Sequence, residues 1–501
     1  MKHSSIKKLL TSFLVTTAVV AATTISASAC TTIYVGGKLM KDGVPVVARS
    51  EDYTNSRAKL FYISPAGEYR QGELYIGCRD YGAFEWTWNH DSYRFVAFKA
   101  DNDFNGLCPE CGEAGHPSYT ESGTNEKGVT VSATESLSGN GKVNGKTVDP
   151  LRQTKVDGKV GIEESDIPTV ILSEAATARE GVQLLLSIYD NYGCYYASGL
   201  FIADQKEIWY IENCSGTQYI ALKLNDDLMF LEPNISVIGR IDLDDTENVI
   251  ASDGLIDVAK QANAFVGNEE ENIIDFRASY ARLSASSKNR LSNGLNFLNE
   301  NYSYTEQVLL DDSTLFTISN LNESDVIVPL YTNIQADRTL TVDDIVNYYK
   351  VDGIANTGNT DTAFFQIYKE DERPLELGTV EWTSMSHGAY NVFIPNYPLL
   401  MDQTYEGYRY PAGEATKDVA GKPDSGLYYR TSGTGKYTVL PENWEKSFYW
   451  CFDGLSNYIL YSQYDAGAVS SDEIQDVLGR FKALQETIYT GFDVLNGTLD
   501  N

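Results

Sequence analysis

The 501-residue sequence predicts an α+β protein, with antiparallel sheets layered against helices. Two observations predict it. Short runs rich in β-branched and aromatic residues follow one another across tight polar turns. Helical patterns come in separate blocks, whereas a doubly wound parallel sheet would need a helical crossover between its strands.

The elements follow in chain order. Lys2, Lys7 and Lys8 precede an uncharged stretch over residues 9–25, and Ala27-Ser28-Ala29 closes it as a small-residue cleavage site. That is the layout of a secretory signal peptide over residues 1–29. Its apolar part is short and interrupted by Thr and Ser, unlike a membrane span. The rival is a lipoprotein signal that lipidates the next cysteine, but such signals usually carry Leu or Val where Ala27 stands. Cutting after Ala29 leaves 472 residues that begin at Cys30.

Residues 31–35 and 44–47 read as strands on either side of the turn Lys41-Asp42-Gly43. Asn125-Glu126-Lys127-Gly128 is a turn before a strand over 129–133. Thr177-x-x-Glu180 is a capping box that opens a helix ending near Gly193. Residues 198–203, 207–211 and 218–224 form a three-strand meander. Ser252 caps a helix through Ala262. Ser470-x-x-Glu473 caps a long last helix with Ile474, Val477, Leu478, Phe481, Leu484 and Ile488 on one face. Residues 402–440 read as loops. The mature chain is taken as one domain over 30–501, with a candidate C-terminal subregion from about 355.

Composition narrows the function. Without Lys2, Lys7 and Lys8 the formal net charge goes from −31 to −34, which disfavours nucleic-acid binding through counterion release. No second apolar stretch is long enough to span a membrane, so the exported protein is expected to be released or loosely wall-associated. The sequence is compatible with a monomer or an oligomer. Seven cysteines are an odd number; with Cys30 set aside, six could pair. Cys108-x2-Cys111-x4-His116 offers three zinc-type ligands, with Glu121 at the next spacing. Outside the cell a disulfide or a reduced loop is favoured there. No cofactor or metal is expected. The mature chain has three histidines, His90, His116 and His387, and neither His-Glu-x-x-His nor Gly-x-Ser-x-Gly.

With so few histidines, a cysteine nucleophile at residue 30 finds its base in its own α-amine. That group titrates near pH ~7.7–8.0, so part of it is unprotonated near neutrality. Arg49 can support the thiolate and Asp52 can orient the amine. The bland alternative is a surface Arg–Asp pair, worth ~0–1 kcal/mol.

The run Cys30-Thr31-Thr32-Ile33-Tyr34-Val35-Gly36-Gly37, followed by Val47-Ala48-Arg49-Ser50-Glu51-Asp52, resembles the start of the dipeptidase A family of N-terminal-nucleophile cysteine hydrolases. That family opens with Cys-Thr-Thr and continues with Ala-Arg-Asn-Glu-Asp, so Ser50 replaces its Asn. Further likeness lies in Asn125-Glu126-Lys127-Gly128-Val129, Ser132-Ala133-Thr134-Glu135, residues 207–212, Pro233-Asn234 and Tyr280-Ala281-Arg282. The resemblance implies a four-layer αββα fold, shared with penicillin V acylase and bile salt hydrolase. It implies Cys30 as nucleophile with Arg49 and Asp52, and Asn125 and Asn234 as oxyanion donors, although turn formation is the simpler role for an Asn. It also implies Arg282 as a second active-site arginine, with Arg277 as its rival and a solvated helix arginine as the alternative to both. Residues 349–355, Tyr-Lys-Val-Asp-Gly-Ile-Ala, depart from the family's Arg-x-His-x-Glu-Gly-Thr-like stretch.

The expected function is a secreted cysteine dipeptidase acting on dipeptides with a free amino terminus. The enzyme alternative is an acylase of the penicillin V or bile-salt type. The non-enzyme alternative is a lipidated peptide-binding lipoprotein.

Overall fold

The computed structural model describes residues 30–52, 58–77, 84–100, 119–134, 136–145, 148–282, 285–298, 328–329, 338–356, 358–410, 413–430, 435–462 and 469–499. The signal peptide, Cys78, Cys108, Cys111 and His116 lie outside the described residues.

Strands carry numbers in chain order. Six form one antiparallel sheet in the order β10 (Met229–Glu232), β1 (Thr31–Val35), β2 (Val46–Asp52), β12 (Asn359–Ile367), β13 (Thr379–Met385) and β14 (Ile394–Asn396). Eight form the other: β11 (Val249–Ala251), β9 (Tyr219–Lys223), β8 (Ile208–Asn213), β7 (Ser198–Ala203), β6 (Thr130–Thr134), β5 (Thr120–Asn125), β4 (Phe95–Ala100) and β3 (Lys59–Ser64). The two sheets meet where β2 packs on β6.

Helices α1 (Ile167–Glu174) and α2 (Ala178–Asn191) cover the outer face of the eight-stranded sheet. On the other sheet, α3 (Ala285–Leu298) packs on β10, α5 (Phe448–Ser462) on β13 and α6 (Ser471–Leu499) on β14, while α4 (Val342–Tyr348) packs on α3. The protein is thus α+β, with helix, sheet, sheet and helix layers. Period-two alternation divides the core: Leu200 and Ile202 join the cluster under α1 and α2, while Phe201 and Ala203 face the other sheet.

The tight turn before β2 holds because Gly43 takes a φ of 79° and Asp42 Oδ1 accepts from Val44 N at 3.1 Å. β2 runs past the predicted 44–47 to Asp52, because Arg49, Ser50, Glu51 and Asp52 are all buried between layers. Apolar pattern alone cannot register such a polar stretch as strand. At Thr177 the side chain accepts from Glu180 N at 3.1 Å, but the Glu180 carboxylate takes Ala176 N, so the box is half formed. Ser470 and Glu473 form theirs in both directions.

Three expectations need correction. Ser252 does not cap a helix; its hydroxyl donates to Gln218 Oε1 at 2.7 Å, and the helix runs Leu255–Gln261 after Gly254. Residues 402–440 are more than loops, holding a short helix at Glu406–Arg409 and a three-stranded sheet of Thr416–Val419, Tyr437–Val439 and Tyr428–Arg430. On α6 the buried positions are Gln485 and Phe492, while Leu484 is exposed. Gln485 bridges the backbone of Phe393 at both N and O, which turns the buried face away from the simple apolar stripe. The chain after residue 355 returns directly to the first sheet, as β12 pairs with β2.

Candidate active site

Cys30 enters β1 between β2 and β10. Thr31 pairs with Ser50, and Thr32 pairs with Arg49 on one side and Glu232 on the other. One step further along the β1–β2 register, Cys30 lies across from Glu51. Strand pairing therefore places the predicted nucleophile beside Glu51, 21 positions away, without a separate binding element.

A buried charge cluster surrounds the thiol. Arg49 Nη2 is 3.9 Å from Cys30 Sγ, and the Cys30 thiol donates to Glu51 Oε2 at 3.2 Å. Arg49 Nη2 also meets Glu51 Oε2 and, at 3.2 Å, Glu164 Oε1. Arg49 Nη1 lies 3.9 Å from Glu121 Oε2, whose other oxygen pairs with Lys59 Nζ. Glu121 is thus engaged with two cations. Charges this deep persist only when paired, and a planar guanidinium can serve several carboxylates at once.

In the uncut chain, whose Cys30 nitrogen is an amide, burial pushes the Cys30 thiol well up, and Glu164 adds to it. Arg49 and the Asp52 backbone N–H oppose them. The sulfur is therefore held as a thiol that donates to Glu51. For Arg49 burial works downward, but the acidic groups around it, Glu164 among them, outweigh it and keep the guanidinium charged.

Asp52 accepts from Asn356 Nδ2 at 2.7 Å and from Asn359 Nδ2. Burial raises its pKa to about 6, against the pull of Arg290, Asn356 and Asn359. A register shift between Asn359 and Asp361 in β12 sets Asn359 beside Asp52, and such a bulge re-aims side chains. The segment that departs from the family pattern is part of this wall: Tyr349 OH donates to Thr31 O at 3.3 Å.

The arginine that reaches the Cys30 backbone is Arg290, from α3. Its Nη1 donates to Cys30 O and Thr31 Oγ1, each at 2.9 Å, and its Nη2 to Pro233 O at 3.0 Å. It ties the start of β1 to the residue after β10. Among the described residues, no hydrogen bond or ion pair joins Cys30, Arg49 or Asp52 to Arg277 or Arg282. Arg282 is exposed, with its backbone N–H donating to Ser138 O, and Arg277 is buried in the Phe276–Tyr280 helix.

The two asparagines separate. Asn125 Nδ2 donates to Leu172 O at 2.9 Å and Ala175 O at 2.8 Å, while its Oδ1 accepts from Lys127 N and Val129 N. Both N–H bonds fasten the end of α1 to the β5–β6 turn, which leaves no donor for an oxyanion. Asn234 is half-buried two residues past β10 and takes a φ of 62°, a left-handed conformation that Asn tolerates.

Cys30, Glu51 and Glu164 bring ligand atoms within 4.8 Å of one another. Arg49 Nη2 already stands against both carboxylates, so a metal ion would have to displace it. Cys194, Cys214 and Cys451 are free thiols, so no pairing involves them.

Sequence reasoning left Glu164, Arg290, Asn356 and Asn359 unassigned. A signal for Glu164 exists: Glu163-Glu164-Ser165-Asp166 is acidic yet runs straight into the apolar helix α1. Arg290 sits in a polar stretch, Ser286-Ser287-Lys288-Asn289, that carries no such signal.

Residues 29–421 match Peptidase family C69. "Probable dipeptidase B" of Streptococcus pyogenes serotype M1 is 29% identical over 413 residues, 76% of this chain and 74% of that protein. "Probable dipeptidase" of Salmonella dublin is 34% identical over 254 residues, so the match spans 51% of this chain and about half (53%) of that protein. Among solved structures, penicillin V acylase from Agrobacterium tumefaciens is similar at a TM-score of 0.31 and 11% identity, covering 77% of this chain and 89% of that one. A mutant of conjugated bile acid hydrolase from Clostridium perfringens gives a TM-score of 0.29 and 12% identity, with 71% and 89% covered. Scores this low carry no argument about this chain.

Proposed function

The chain belongs to peptidase family C69, and from that membership we propose that it is a secreted cysteine dipeptidase whose nucleophile is Cys30, freed as the amino terminus by cleavage after Ala29. One observation carries the reading. The residue behind the Ala27-Ser28-Ala29 site is a buried cysteine with a buried arginine 3.9 Å from its sulfur.

Cleavage turns an inert amide into an amine. That amine takes the Sγ proton, and the thiolate, supported by Arg49, attacks the scissile carbonyl carbon. Charge develops on the carbonyl oxygen, and the side-chain amide of Asn234, two residues past the strand that pairs with β1, is the donor assigned to it. The C–N bond breaks as the leaving amine collects the proton from the Cys30 ammonium, which leaves a thioester. Water then gives a proton to the α-amine, attacks the thioester, and the acid departs with Sγ restored. Asp52, fixed by Asn356 and Asn359, orients the amine throughout.

The test is kcat/KM of the mature protein on a free dipeptide, its N-acetyl form, a tripeptide and phenoxyacetyl amides. The free dipeptide should be the best substrate by orders of magnitude. Faster turnover of the acylated compounds would replace this reading with an amide acylase that uses the same thiol.

A further inference from the structure

We infer that Glu164 determines specificity by receiving the α-ammonium of the substrate, an assignment that rests on the dipeptidase reading above. A free-amine dipeptide has a fixed short reach. Its ammonium nitrogen sits two bonds from the carbonyl carbon under attack, about 2.5 Å away. The anchor for that ammonium must therefore stand close to Sγ, unlike the pocket of an acylase, which needs an apolar surface there.

Glu164 meets that condition. Its carboxylate lies in the group of ligand atoms within 4.8 Å of one another that includes Cys30 Sγ. Oε1 is engaged with Arg49 at 3.2 Å. Among the described residues Oε2 accepts no hydrogen bond, although the side chain is only 3% exposed. Glu51 is the rival and also has an open oxygen, Oε1, but its Oε2 holds both Arg49 and the Cys30 thiol, so an ammonium bound there would compete with the partner of the thiol itself. Glu164 arrives from a different layer, on the segment before α1, and touches the nucleophile only through the field.

The charge balance points the same way. Among the described residues, the buried carboxylates Glu51, Glu121 and Glu164 pair with two cations, Arg49 and Lys59. Buried negative charge in excess draws in a cation. Arg49 already occupies the position a metal ion would need, and a substrate ammonium can join it with hydrogen bonds to the open oxygens.

The experiment compares wild type, Glu164→Gln and Glu164→Asp on alanyl-alanine and on propionyl-alanine, which lacks only the ammonium. Wild type should prefer alanyl-alanine by about 100-fold or more. In Glu164→Gln its kcat/KM should fall by a similar factor, mainly through KM, while propionyl-alanine falls far less and the preference collapses. Glu164→Asp keeps the charge and should restore part of the preference. Alkylation of Cys30 by iodoacetamide in all three proteins reports that the site is assembled. If Glu164→Gln keeps the preference, or loses both substrates equally while Cys30 still alkylates, the assignment is overturned and the dipeptidase reading stands. A wild type that leaves dipeptides intact and cleaves phenoxyacetyl amides overturns both. An EDTA-sensitive preference would put a metal ion where the ammonium should sit, and overturns the assignment.

Discussion

Arg290 donates to the carbonyl oxygen of Cys30 at 2.9 Å across 260 residues of chain. The bond joins α3 to the residue before β1, and a second bond to Pro233 O ties in the segment just before Asn234. Hydrogen bonds from a charged donor are worth ~1.5–3 kcal/mol each. Arg290→Ala should therefore lower the melting temperature by several degrees and reduce kcat. Arg290→Lys keeps charge near Asp52 but loses the forked geometry, so it should recover stability in part and activity little. Thermal melts and kinetics on both variants check this; equal rescue of both would reduce Arg290 to a charge.

The secreted protein should begin at Cys30. Intact mass and terminal sequencing test it, and a lipid mass on Cys30 would sink the mechanism. A variant retaining one residue before Cys30 should be inactive, because its nitrogen stays an amide without a basic lone pair.

Turnover should depend on the thiol and not on metal. Cys30→Ala should abolish it and chelators should leave it intact. Arg49→Ala should raise the pH at which Cys30 becomes alkylated, because Arg49 is the charge that works against burial and Glu164. An unchanged alkylation profile would make Arg49 purely structural.

Asn234 separates backbone from side-chain roles. Its φ of 62° suits glycine as well as asparagine. Asn234→Gly should keep stability but lose ~10²–10³-fold in kcat if the amide serves the oxyanion. Full activity in that variant would leave Asn234 a turn residue.

Stability should fall as the solution becomes alkaline. Burial raises the Glu212 pKa to about 7 and, with Glu212 beside it, the Glu232 pKa to about 8, both from 4.5. Their protonated forms favour the fold, so this stability is full below pH 4.5 and is lost as pH rises through about 7 to 8. Glu232→Gln mimics the protonated acid. It should flatten the decline in melting temperature between pH 5 and pH 9. Parallel declines in wild type and variant would refute the assignment.

What the sequence determined by itself is local. Residues 31–35 form the opening strand as read, because a β-branched run beside a Gly turn has one good conformation. The same turn pairs β1 with β2, so the nearness of Cys30 to Arg49 followed from their spacing. The last helix was readable from its Ser470–Glu473 cap, although its buried face was not, since Gln485 is chosen by Phe393 rather than by hydrophobicity. Tertiary structure alone decided the rest. Asn125 looks the same in sequence whether its amide meets an oxyanion or the end of α1, and packing chose α1. Glu164, Arg290, Asn356 and Asn359 reach the site from 115 to 307 residues away in the pairs they form. Each is polar and held by a partner far away in the chain, on another layer or on a neighbouring strand, and a partner's position is a property of the packed sheets that no local pattern encodes.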